Sequence, residues 1–439
     1  MIANSPAPAR TRLPVGLRAF RHRNFRLFWI GQLISLVGTW MQTIAQSWLV
    51  WELTHDPVAL GLLAVVQFAP VLVLGLFGGV VADAFPKRNA LVATQTAALV
   101  LALLLGLLKL NGSVQVWEVF VLAGLLGIVS AFDMPIRQSF VVEMVGRGDI
   151  VNAVALNSAL FNGTRIIGPA IAGLLILTVG IAACFLINAA SYLAVILGLF
   201  LMRTGDLLPP PVSALERTWQ SVLEQLAEGL RYVRDTPSIR IALIVLGLVS
   251  TAAINFGVVL PLLAQNVLGG GAETFGFLSS ATGLGSLVGA LVLAFGRPPT
   301  IRRALAGAAA IGVAMVAIAF SRSLVVSLLL MAVAGWGMIS MGATINTMIQ
   351  LTTPDHLRGR VMSVYTTVFV GSTPIGGLIS GSIAAGFGTP AVFLVAGVVS
   401  LLTVGGAVLW LARGGRPRPA TVGEAASEQA PAPARADRR

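Results

Sequence analysis

Long apolar runs separated by short polar links dominate the chain. A helix of ~20 residues crosses a ~30 Å hydrocarbon layer, and a helix satisfies its own backbone polar groups where water is absent. Twelve such helices are predicted, near 27–51, 58–83, 89–109, 116–138, 151–177, 182–203, 239–263, 275–296, 303–320, 324–346, 360–385 and 390–412. The fold class implied is all-α and integral to a membrane. The longest interruption, 204–238, opens with Pro209-Pro210-Pro211 and then turns amphipathic. Leu215, Trp219, Val222, Leu226, Leu230 and Val233 recur there at helical spacing, with Glu and Arg opposite. This predicts a surface helix against the membrane interface or the bundle underside, with a tethering or a regulatory role.

Composition agrees with the pattern. Hydrophobic residues make up 56% and charged residues 10%, against ~45–50% and ~25% in soluble domains. A net charge of +12 raises the question of nucleic acid, but the bases form no groove-sized patch. They sit in alternate links: Lys87 and Arg88; Arg137 and Arg147; Arg203, Arg217, Arg231, Arg234 and Arg240; Arg297, Arg302 and Arg303; Arg358 and Arg360. The opposite links hold only Lys109 and Arg322, beside helix ends. By the positive-inside rule, both termini of this multi-pass chain are expected in the cytoplasm. The first apolar run has no small-residue cleavage site and is expected to be retained. The domain organisation expected is an N-terminal segment 1–26, a six-helix bundle 27–203, a linker 204–238, a second bundle 239–412 and a tail 413–439. The tail, of Ala, Pro, Glu and Arg without periodicity, reads as disordered.

Polar residues inside the spans carry the candidate chemistry. Gln32, Ser35, Thr39, Gln42 and Gln46 step by three and four along one face of the first span. Facing lipid they would be costly, so lining of a water-accessible cavity is favoured over bonding to a neighbouring helix. Trp48 and Trp51 fit interfacial anchors, and Trp29 and Trp40 stacking surfaces. Arg165 lies ~21 Å into the fifth span at 1.5 Å per residue, where a guanidinium must meet a partner or water. Ser158 and Asn162 share its face, and Gly168-Pro169 follows one turn later. Two roles fit equally: a cation for substrate or counter-ion in a central cavity, or a structural arginine bonding carbonyls freed by Pro169.

Asp133, placed one to two turns from the end of the fourth span, has Arg137 four residues on as a partner. It suits a proton carrier or, preferably, an ion-pair latch with Lys87 or Arg88 at the same depth. Met338, Met341, Met348 and Met362, with Tyr365 and Phe369, suit a soft apolar wall, though plain packing explains any one of them. Cys184 lies in an apolar run and reads as core. There is no P-loop, zinc-type His pair, catalytic triad or dinucleotide fingerprint. No enzyme activity, metal or cofactor is therefore expected, and transport would run on an ion gradient or downhill.

An internal repeat is also visible. Gly163, Gly168 and Gly173 match Gly371, Gly376 and Gly381 at one constant offset, and Asn152-Ala153 aligns with Arg360-Val361. Two parallel six-helix halves follow from it.

The link between the second and third spans, with Gly79-x-x-x-Asp83 followed by Lys87-Arg88, resembles the corresponding loop of the major facilitator superfamily. Asp133-Met134-Pro135-Ile136-Arg137-Gln138-Ser139-Phe140, and Asn157-Ser158 through Arg165 to Gly173, resemble its enterobactin-exporter and macrolide-efflux branch. Gly163, Gly168, Pro169 and Gly173 are similar to the helix-5 antiporter motif, which implies export. Carried over, Asp83, Arg88 and Asp133 would form a latch closing near Gly359 and Arg360 when the protein faces outward. Ala84 and Pro86 depart from the loop pattern, where arginine and glycine are usual. The function expected is export of a small amphipathic molecule, a drug or siderophore, across a bacterial inner membrane by alternating access in exchange for protons, with Asp133 and Asp83 as the proton-coupling candidates that elimination leaves. A metabolite importer and a non-transporting sensor on the same fold are the alternatives. The partners expected are the substrate, protons and the lipid bilayer, with no nucleic acid and a monomeric protein.

Overall fold

The computed structural model describes residues 15–208, 219–295 and 299–413; the side chains of 15, 76–84, 219–223, 225 and 355–356 lie outside that description. Leu215 and the side chains of Trp219 and Val222 of the predicted amphipathic stripe are thus outside it, as is the side chain of Asp83.

The helices in order are α1 (Arg23–Thr54), α2 (Pro57–Ala84), α3 (Lys87–Leu110), α4 (116–145), α5 (147–178) and α6 (Ile181–Phe200). There follow α7 (Trp219–Asp235), α8 (Pro237–Ala253), α9 (Phe256–Leu262), α10 (Ala272–Ala294), α11 (Ile301–Phe320), α12 (Leu324–Thr352), α13 (Asp355–Phe387) and α14 (Thr389–Ala412). Eleven helical runs among the described residues are long and apolar enough to cross a membrane. The run Val116–Thr178, at 63 residues and 1.5 Å per residue, is about twice a membrane thickness and holds two crossings, α4 and α5. Twelve crossings result. Side chains such as Ile30, Ile34, Leu193, Leu197 and Phe200 recur exposed at helical spacing along them, a surface that only lipid covers at low cost.

Two features depart from the predicted spans. No loop separates α4 from α5: Gly146 alone turns the chain, at φ 69° and ψ 175°, a backbone region that glycine enters without a Cβ clash. The seventh span is interrupted. Between α8 and α9 the chain leaves helical geometry at Ile254 and Asn255, and after Pro261 a π-turn runs Leu263–Val267. The uniform apolarity of 239–263 conceals that break.

Within the first six spans α1 packs on α4, α5 and α6, α2 on the α4–α5 run and α3 on α6; in the last six, α12 packs on α10 and α11, and α14 on α8 and α11. Two seams join the groups, α2 with α13 and α5 with α10. They are tight at the end carrying the links 55–56, 179–180 and 268–271, here the far end; the opposite end, where α1 starts and α14 finishes, is the terminal end. A Cβ on Gly276 of α10 would lie 2.5 Å from Pro169 O and 3.0 Å from Gly173 Cα, so backbone meets backbone there. The sequence repeat reappears in these contacts. Gly168 packs on α1 at Trp40 and Gly376 on α8 at Thr251; Gly173 packs on α10 and Gly381 on α2. Gly163 has open space beside it.

Trp48 and Trp51 belong to the far-end closure rather than to a lipid interface. Trp48 stacks on Phe275 of α10 at 6.4 Å between centroids. Trp51 is 4% exposed and donates its indole N–H to Gln265 Oε1. The partner for each arises from the second group, which one helix's sequence does not reveal.

α7 forms where the amphipathic stripe predicts a helix, and it docks under α13. Val233 is buried, Gly229 sits against Arg360 O, and Glu228 pairs with the Arg360 guanidinium. Leu230, predicted on the apolar face, is 58% exposed, because the docked face is narrower than the stripe.

Candidate functional site

The polar face of α1 turns inward as its spacing predicts. Gln32, Thr39, Gln42 and Gln46 line a cavity of about 530 Å³ within the first six helices, with Gln67 of α2, Gln95 of α3, Asp133 and Arg137 of α4, and Asn157 of α5. Part of this wall is internally bonded. Asn188 Nδ2 donates to Gln42 Oε1 at 2.6 Å, and Arg137 donates to Gln32 Oε1. Other buried polar atoms find no partner among the described residues: Gln32 Nε2, both amide atoms of Gln46, Gln95 Oε1 and Arg137 Nε. An unsatisfied buried polar group costs about 1–3 kcal/mol, so the wall around this cavity carries a polar cost that its own bonds leave unmet.

Asp133 is 6% exposed and fully engaged. It accepts from Thr94 Oγ1 at 2.7 Å and Gln95 Nε2 at 2.8 Å, and pairs with Arg137. Neither Lys87 nor Arg88 reaches it in this conformation. Lys87 Nζ lies 2.6 Å from Glu143 Oε1, both side chains buried. Arg88 donates to Leu199 O at 2.7 Å and lies over the Phe200 ring. The reason is depth: α4 runs on to 145 rather than ending near 138, so Asp133 sits three turns from its end, and Glu143 is the acid level with Lys87. Arg360 is taken by Glu228 of α7. Lys87, Arg88, Asp133 and Arg360 thus make separate contacts here.

A second cavity, of about 650 Å³, lies between the two helix groups. α1, α2 and α5 supply Trp40, Phe68 and Arg165; the break before α9 supplies Asn255; α12 and α13 supply Met338, Asn346, Tyr365 and Phe369. Tyr365 and Phe369 stack at 6.1 Å with an interplanar angle of 7°, and Tyr365 donates to Gly342 O at 3.2 Å. Thr43, Gln67 and Phe161 line both cavities, so the two adjoin across a single wall.

The structural role proposed for Arg165, bonding the carbonyls freed by Pro169, is not what its guanidinium does. Ile166 O receives Ser280 Oγ at 2.8 Å from α10, and Arg165 O faces Gly283. The guanidinium reaches into the second cavity, 5.8 Å from the Trp40 ring centroid and 3.7 Å from Met338 Sδ.

Of the predicted cavity residues, Gln32, Thr39, Gln42 and Gln46 meet in the first hollow and Arg165, Tyr365 and Phe369 in the second. Ser158 and Asn162 line neither: Ser158 is exposed, and Asn162 Nδ2 is spent on Ser158 O at 2.8 Å. The cavity-lining face of α5 is set by Asn157, Phe161 and Arg165 instead. Gln67 and Gln95 went unpredicted, although each is a solitary amide in an apolar span. Glu143 and Asn255 had no such signal, since their importance comes from Lys87 and from the helix break. Of the methionines, Met338 lines the second cavity and Met341 is core; Cys184 is buried core as predicted.

This architecture is shared with solved transporters. A point mutant of the nucleoside transporter NupG superposes with a TM-score of 0.72 at 12% identity, covering 90% of this chain and 99% of that one. A POT family transporter bound to a thioalcohol-conjugated peptide gives 0.72 at 13%, covering 89% and 96%. The class is therefore a twelve-helix membrane protein of the major facilitator fold. Residues 15–431 match the family model described as transmembrane secretion effector, and the chain belongs to that family of major facilitator superfamily transporters. The multidrug efflux pump Tap of Mycolicibacterium fortuitum is 30% identical over 84% of this chain and 91% of its own. The enterobactin exporter EntS of Shigella boydii is 25% identical over 87% and 92%, and the staphyloferrin A transporter of Staphylococcus aureus 24% over 86% and 93%.

Proposed function

We propose that the protein exports a small amphipathic molecule from the cytoplasm by alternating access, in exchange for protons, as a monomer in the bacterial inner membrane. The terminal end is cytoplasmic on this reading, because the basic links gather there. The observation that carries the proposal is the polar lining of Gln32, Gln42, Gln46, Gln67, Gln95, Asp133 and Arg137 around an intramembrane hollow that adjoins the cavity between the two helix groups. A lining of this polarity serves no purpose against lipid and suits a passing ligand. The names of the relatives support export. The two six-helix groups are the rocking units, and tight seams at the far end with separate contacts among Lys87, Arg88, Asp133 and Arg360 at the terminal end fit the inward-facing state. Asp133 is the proton site of choice, being the acid in the cavity lining and paired to Arg137: protonation would release Arg137, and ionisation would recapture it. Asp83, with Arg88, is assigned to the latch of the outward-facing state.

The test is uptake of a fluorescent substrate into everted vesicles with an imposed pH gradient at clamped membrane potential. Uptake driven by an acidic lumen is expected for wild type and absent for Asp133→Asn. Uptake indifferent to the gradient in wild type removes the proton from the mechanism.

A further inference from the structure

Resting on the transport reading above, the geometry points to the charge of the substrate: we propose that Arg165 makes the cavity between the helix groups a receptor for amphipathic organic anions, with a carboxylate-type group beside an aromatic body. Arg165 is the one charged residue lining that cavity among the described residues. No acid pairs with it among the described residues; its guanidinium has the Met338 thioether, a weak acceptor, and the Trp40 ring face. Five N–H donors in a planar fork are thus left facing the hollow with one poor acceptor between them. The contrast with the other buried ions of the chain is direct. Lys87 has Glu143, and Arg137 has Asp133 and Gln32. The first cavity's charges cancel within it, whereas the second keeps a full positive charge.

A cation kept without a counter-charge at mid-membrane is costly, and its cost is recovered when an anion arrives. The fork matches a carboxylate by two parallel hydrogen bonds. Trp40 holds the guanidinium from one side, a cation–π contact that supplies stabilisation without occupying its N–H groups. The remaining wall suits the body of such a molecule. Phe68, Phe161 and the stacked pair Tyr365 and Phe369 offer ring faces and edges, and about 650 Å³ falls in the range of drug-sized sites, ~300–1,000 Å³. A cationic amphiphile would meet the same rings and be repelled by Arg165, with no acid in the described lining to receive it.

The experiment uses the full-length protein in phosphatidylcholine nanodiscs and three probes sharing one fluorophore: dansylglycine (anion), dansylamide (neutral) and dansylcadaverine (cation). Binding is read as tryptophan-to-dansyl energy transfer, with empty nanodiscs subtracted. Wild type should bind dansylglycine at least ~10-fold tighter than dansylamide, the scale of a charge-assisted hydrogen bond, and dansylcadaverine most weakly. Arg165→Gln should abolish the preference while changing dansylamide binding less than ~2-fold, and Arg165→Lys should restore much of it. Equal or reversed ranking in wild type overturns the proposal, and so does an absence of saturable dansylglycine binding; neither depends on a variant folding. Retention of the preference in Arg165→Gln overturns the assignment to this residue. Uptake of the same probes into everted vesicles separates this from the transport reading. Selective binding without flux removes transport and leaves the anion site, whereas flux without charge preference removes the anion site and leaves the transporter.

Discussion

Adding one methyl group at Gly276 should open the far end. A Cβ there would lie 2.5 Å from Pro169 O, 3.0 Å from Gly173 Cα and 3.1 Å from Gly173 N. All three are backbone atoms of α5, so no rotamer change relieves the clash. Carbon contacts settle at ~3.5–4.0 Å, so α5 and α10 must separate by roughly 1 Å over at least a turn. Overpacking of this kind costs about 1–3 kcal/mol. The cost falls on the far-end-closed conformation, because the methyl is unopposed once the seam parts. A closed-to-open ratio of roughly 100:1 would drop to between about 20:1 and 1:1. The assay is a spin-label distance between Val179→Cys, closing α5, and Arg322→Cys, between α11 and α12; the one native cysteine, Cys184, is buried and leaves little background. Gly276→Ala should add a longer-distance population. Gly405→Ala, where a Cβ meets nothing within 4 Å, should not. Identical distance distributions for Gly276→Ala, Gly405→Ala and the parent would refute the argument that backbone contact at this seam holds the far end shut.

The ion pairs give further tests. Lys87→Met leaves Glu143 buried and unpaired, and should cost about 3–5 kcal/mol in a denaturant titration of the purified protein. Combining it with Glu143→Leu should recover most of that loss, and a double variant as unstable as the single one contradicts the pairing. Asp133→Asn frees Arg137 in a cavity that already holds unpartnered amides. It should abolish gradient-driven uptake, while far-UV circular dichroism stays that of the parent. Gly229→Val places a side chain against Arg360 O and should undock α7, read as faster protease cleavage of the linker. Glu228→Gln should have little effect, since an ion pair with both side chains over a third exposed or nearly so is worth only ~0–1 kcal/mol.

What the sequence determined by itself was governed by the bilayer. A solvent without hydrogen-bonding capacity forces each crossing to be a long apolar helix, so twelve spans could be placed from hydropathy, and the inward turn of Gln32, Thr39, Gln42 and Gln46 from spacing alone. The offset that pairs Gly168 with Gly376 and Gly173 with Gly381 marked positions whose close helix contacts recur, whereas Gly163 has open space where Gly371 meets Leu72. Tertiary structure decided which partner each polar group met. Lys87 found Glu143 rather than Asp133 because α4 continues through to Gly146, and hydropathy is blind to where a continuous helix bends. Trp48 and Trp51 closed a seam because α10 and the π-turn after α9 stand opposite them. Arg165 reached the second cavity with no acid beside it because Trp40 and Met338, from other helices, are what stand against its guanidinium. Helix formation is local and follows from composition, whereas pairing of buried charges depends on residues far apart in the chain arriving at one depth.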